Sequence, residues 1–83
     1  MVILYVLRGK TGKRYVGITN DLPRRLREHS RKRSKVGQCI GEFAVLRTEP
    51  FPSYETARAR EEFLKSGKGR KWLDEQETLS ESA

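Results

Sequence analysis

The sequence predicts an α+β fold: a small three-stranded antiparallel sheet flanked by helices, in the order ββαβαα. Three observations lead there. Two short β-like runs joined by a glycine-containing turn open the chain, and a third apolar run ends at prolines. The remaining apolar residues recur at helical spacing. At 83 residues the chain forms one domain with a thin core, because a domain this small buries only about 60% of the surface its unfolded chain exposes.

Residues 2–7, VILYVL, are a continuous run of apolar β-branched and aromatic side chains, as expected of a central strand covered on both faces. RGKTGK then punctuates with two glycines, and residues 14–18, RYVGI, supply the second strand of a hairpin. The first helix has Thr19 or Asn20 as N-cap, Asp21 at the positive end of its dipole and Pro23 in its first turn, and runs to Ser30. Residues 31–41, RKRSKVGQCIG, read as an exposed basic loop suited to phosphate contact. The third strand begins at Phe43, covers residues 43–46 and is stopped by Pro50 and Pro52. Ser53 caps a second helix that reaches Ser66, with Glu55 in its first turn and Gly67 as a left-handed stop. A last helix over residues 69–76 docks through Trp72 and Leu73. The domain is expected to span 1–73, and the acidic tail 74–83, DEQETLSESA, to be disordered.

Charge is distributed unevenly. All 18 basic residues precede residue 74, against seven acidic ones, an excess of 11; Asp74, Glu75, Glu77 and Glu81 then bring the chain to +7. Such density points to nucleic acid as partner, since neutralising phosphates releases counterions. Cys39 is the single cysteine, which excludes an internal disulfide, and no Cys/His spacing suits a zinc site. The apolar start MVILYVL is too short to span a bilayer and lacks a basic leader, so a cytoplasmic protein with no membrane partner is expected.

Two helix faces depart from an ordinary core. Leu22, Arg25, Leu26 and His29 fall on one stripe at i, i+3, i+4, i+7, and Tyr54, Ala57, Glu61 and Leu64 on another. A carboxylate or guanidinium on a buried stripe costs free energy unless it is paired or bound. Either Arg25 and Glu61 form an internal ion pair, or they are held ready for a phosphate and a metal ion. Antiparallel pairing also brings Tyr5 and Tyr15 to one sheet face.

Together, Tyr5, then YVG at Tyr15 to Gly17, then DLPRRLREH with Arg25 and His29, then AREEFLKSGKGR with Glu61, resemble the GIY-YIG nuclease superfamily over about residues 2–73. The likeness is to its short bacterial members. The first motif here is Ile3-Leu4-Tyr5, with Ile3 in place of the glycine, and the sole asparagine is Asn20, so the asparagine that some larger members carry after the glutamate helix has no counterpart. The resemblance implies an endonuclease that hydrolyses DNA phosphodiesters with one divalent ion, Mg²⁺ or Mn²⁺, set in DNA repair or the processing of structured DNA. It implies Arg25 on the scissile phosphate, His29 beside it and Glu61 as metal ligand. A single carboxylate suits a hard ion that keeps its waters, and Tyr5 or Tyr15 is the candidate base. Gly17 would let a DNA backbone approach the sheet. Lys13, Arg14, Arg31, Lys32, Arg33, Lys35, Lys68, Arg70 and Lys71 form a diffuse phosphate-contact set. A binding module that does not cut is the alternative, and monomer and weak dimer both stay open.

Overall fold

The computed structural model describes residues 1–10, 12–30 and 42–82, with side chains through Glu77. The expected basic loop, with Arg31, Lys32, Arg33, Lys35 and Cys39, lies outside the described residues.

The fold is the predicted α+β arrangement. Strand β1 is Val2–Gly9, β2 Arg14–Thr19, α1 Leu22–Ser30, β3 Phe43–Phe51, α2 Tyr54–Lys65 and α3 Gly67–Ser82. The sheet is antiparallel in the order β2-β1-β3, so the most apolar strand is central and both of its neighbours are edges. Leu4, Val6 and Val16 point to one face, where Leu64 of α2 and Leu73 of α3 close the main core. Tyr5 and Leu7 point to the other, beneath Leu22 and Leu26 of α1 and beside Tyr15 and Phe43. An 83-residue chain thus builds two small cores on one sheet, and β1 belongs to both.

Several local expectations are corrected. Strand β3 continues through Pro50, which faces Ile3, because it is an edge strand and a proline there forfeits no bond to a further neighbour. The register against β1 shifts between Val6 and Leu7, which passes over Leu46 as a bulge. The cap of α1 is Asp21, whose Oδ1 accepts from Arg24 N at 3.2 Å, while Thr19 Oγ1 accepts from Asp21 N at 3.1 Å and sets the turn before it. Ser53 caps α2 as expected, accepting from Thr56 N at 3.3 Å.

The stop of α2 is Ser66 in extended backbone, its N–H bonded to Phe63 O at 3.0 Å, and Gly67 already starts α3. The single positive-φ glycine among the described residues is Gly12, at 88°, in the β1–β2 turn. Helix α3 runs on past residue 73 to Ser82, and within it Asp74 and Glu77 find basic partners on the sheet. Trp72 is half-buried against the main core, with the guanidinium groups of Arg47 and Arg60 each 4.7 Å from its ring centre, which makes it a packing residue.

Candidate active site

Pairing of Tyr5 with Gly17 across β1 and β2 places Tyr5 and Tyr15 on the same sheet face, with ring centres 6.1 Å apart. Helix α1 lies over that face, anchored by Leu22 and Leu26, and its last turn delivers His29 into the space between the tyrosines. The imidazole is buried, 5.7 Å from the Tyr5 ring and 5.1 Å edge-on from Tyr15. Tyr5 Oη and His29 Nε2 are 2.7 Å apart. Residues from β1, β2 and α1 thus form one cluster: Tyr5, Tyr15, Arg25 and His29.

The cluster's electrostatics follow from its burial. Tyr5 is fully buried, and desolvation of the phenolate pushes its pKa up to about 12, with the nearby Arg25 guanidinium opposing the rise and Tyr15 adding to it. Burial also lowers the pKa of His29, and the charge of Arg25 lowers it further, so the ring is neutral at pH 7. Arg25 donates toward the phenol oxygen, and Tyr5 Oη and the neutral His29 Nε2 share a hydrogen bond. Arg25 itself is 45% exposed and also donates from Nη1 to Glu28 Oε2 at 3.0 Å, and Arg24 Nε donates to the other Glu28 oxygen at 3.2 Å. Glu28 was not singled out in the sequence; its spacing three and four residues after the two arginines was the available signal.

Gly17 carries a packing constraint that the sequence did not show. It is buried, and a Cβ built on it would lie 2.5 Å from Tyr5 Oη and 3.0 Å from Tyr15 Cε1. The space above this residue belongs to the tyrosines. Its φ is not positive, so room, not conformational freedom, demands glycine here.

Glu61 sits apart from the cluster. It is carried by α2, which packs on the opposite sheet face through Ala57 and Leu64, and its side chain is 19% exposed. It pairs with Lys65 at 3.3 Å and not with Arg25, so the internal Arg25–Glu61 ion pair does not form. Tyr54, on the same predicted stripe, is exposed at the start of the helix. The two halves nevertheless meet at the β2 edge. A cleft of about 610 Å³ there is lined by Lys13, Arg14, Tyr15, Lys65 and Arg70 among others, and Lys65 is the residue bonded to Glu61. Lys65 was missed in sequence, although it lies one helical turn from Glu61. Lys68 and Lys71 are exposed on α3 and do not line the cleft.

Among the described residues no group of three or more His, Cys, Asp or Glu side chains could hold a metal ion. Glu61 therefore offers one carboxylate. That donor set fits Mg²⁺ or Mn²⁺, which bind through one or two carboxylates and complete their shell with water and substrate phosphate. Among the described residues no helix is long and apolar enough to cross a membrane.

A small antiparallel sheet with paired tyrosines on one face, and an arginine and histidine delivered by the following helix, defines a class of nuclease domain. The chain belongs to the GIY-YIG family: the pattern of the GIY-YIG catalytic domain matches residues 1–73. The family is one of endonucleases acting on DNA, which typically use divalent metal ions. The chain is 38% identical over 80 residues to a UPF0213 protein of Xanthomonas campestris pv. campestris, covering 92% of this chain and 78% of that protein. It is also similar to the solution NMR structure of the UPF0213 protein BH0048 from Bacillus halodurans, with a TM-score of 0.57 and 34% identity, covering 92% of this chain and 85% of that one.

Proposed function

We propose that this protein is a divalent-metal-dependent DNA endonuclease whose scissile phosphate lies at the β2 edge. One observation carries the reading: Tyr15 and Lys65 line the same cleft, and Lys65 is bonded to Glu61, so groups from both sheet faces flank one strip of surface. An edge strand lets a DNA strand touch both faces at once.

Arg25, exposed and held from behind by Glu28, exchanges that carboxylate for the phosphate, and its planar fork stabilises the charge that grows in the transition state. The base must be a phenolate at the moment of attack. Tyr5 is shut away from solvent with its pKa pushed up to about 12, which leaves Tyr15, half-buried on the cleft, to take the proton of the attacking water. Tyr5 and His29, bonded to each other behind it, fix the position of the Tyr15 ring. Glu61 would hold the Mg²⁺ or Mn²⁺ ion, which supplies charge stabilisation at the departing 3′ oxygen.

Cleavage of plasmid and branched DNA with and without Mg²⁺ or Mn²⁺ tests the reading. Metal-dependent cutting is expected, reduced at least about 100-fold in Glu61→Gln and about 100-fold to 10,000-fold in Tyr15→Phe. Absence of cutting on every DNA, or equal cutting by Glu61→Gln, rejects it; salt-sensitive binding without cutting would instead mark a binding module.

A further inference from the structure

Arg14, which lines the cleft beside Tyr15, is already engaged by two carboxylates of α3. Arg14 donates from Nη2 to Asp74 Oδ1 at 2.7 Å and from Nη1 to Glu77 Oε2 at 3.3 Å, and Nη2 also reaches the Arg70 carbonyl at 3.3 Å. Its side chain is 16% exposed. The other Glu77 oxygen, Oε1, is buried without a hydrogen bond among the described residues and lies 3.8 Å from Arg8 Nη1. Asp74 and Glu77 are one helical turn apart on α3, so both side chains reach the same guanidinium. Both acids fall just beyond residue 73, where the match to the catalytic domain ends.

We propose that the cleft formed by Arg14 with Lys13, Lys65 and Arg70 is the track for the phosphate backbone of the DNA strand beside the scissile bond, and that Asp74 and Glu77 engage the Arg14 guanidinium in the free protein as phosphate surrogates. The proposal rests on the nuclease reading and adds an internal competitor to it. The exchange is physically easy. Asp74 is 66% exposed, so a strand can reach its side of Arg14, and Glu77 leaves one oxygen without a hydrogen bond. A phosphodiester accepts both guanidinium donors and keeps its remaining oxygens in water. Simple charge balance would need no directional bonds, whereas here two carboxylates converge on one guanidinium that lines the cleft.

The test is equilibrium binding of a fluorescein-labelled DNA duplex to the full chain at low salt, without divalent metal so that cutting does not intervene. Asp74→Asn/Glu77→Gln should bind about threefold to tenfold tighter than the parent, the effect of freeing one charge-assisted pair. Glu62→Gln/Glu75→Gln, which removes the same charge from exposed carboxylates elsewhere on the helices, should gain less than about twofold. The gain of the first pair should vanish when Arg14 is also changed to Gln, with far-UV circular dichroism checking that each variant is folded. Equal gains for the two pairs, or a gain that survives Arg14→Gln, overturn the surrogate role and leave the nuclease reading standing. No DNA binding by any folded variant overturns both.

Discussion

Gly17→Ala is the sharpest perturbation the structure offers, because it adds one carbon in a place where nothing can retreat. The new Cβ would lie 2.5 Å from Tyr5 Oη and 2.6 Å from Tyr5 Cζ, against an ordinary contact of about 3.5–4 Å. About 1 Å of displacement is needed. The Tyr5 ring is fully buried, tied to His29 at 2.7 Å and covered by Leu22 and Leu26, so the strain passes into α1. Overpacking of this kind costs about 2–3 kcal/mol, out of roughly 4–12 kcal/mol expected for a domain of this length. With a urea m-value of about 1 kcal/mol/M, the unfolding midpoint should fall by about 2–3 M. Tyr5→Phe alone forfeits the hydrogen bond to His29, about 1 kcal/mol, but removes the atom closest to the new methyl group. The double variant should therefore be more stable than the sum of the singles predicts, by about 1 kcal/mol. A midpoint shift under about 0.5 M for Gly17→Ala, or strict additivity with Tyr5→Phe, would refute the claim that this glycine exists to house the tyrosine.

Other outcomes follow from the same geometry. The folded-state pKa of His29 lies below the unfolded value of about 6.5, so the unfolded chain binds the extra proton between the two; the contribution is complete above about pH 6.5 and is lost as pH falls toward the folded value. Urea midpoints between pH 7.5 and 5.5 should fall more steeply for the parent than for His29→Asn, and parallel slopes would contradict the burial of a neutral ring. Ser53→Ala should cost about 1 kcal/mol by denaturation while leaving DNA cleavage unchanged, since the hydroxyl caps α2 and touches nothing in the site. Leu64→Ala, at the centre of the main core, should cost about 2–5 kcal/mol in the same assay.

Much of this molecule was legible along the chain. Alternation within β1 and β2 allowed Tyr5 and Tyr15 to share a face, and the register that pairs Tyr5 with Gly17 puts them there. Helical spacing likewise put Arg25 and His29 one turn apart with the leucines that hold α1 down. Spacing within a helix says which residues share a stripe but not which side of the sheet that stripe covers. For that reason Glu61 looked like a partner for Arg25, whereas α2 packs on the far face and the link to Tyr15 runs through Lys65 around the β2 edge.

The sequence by itself determined the order of elements, the central place of β1, the α1 stripe and the family resemblance, all of which rest on local periodicity and short motifs. Only the tertiary structure decided what long-range packing controls. Gly17 turned out to be a socket for Tyr5 because the register pairs those two residues. Asp74 and Glu77, acidic residues in a segment that composition alone sets apart from the basic domain, pair with Arg14 because folding carries it to within 2.7 Å and 3.3 Å of them. Composition measures what a segment can bury alone, and these carboxylates are held by charges from residues some sixty positions away.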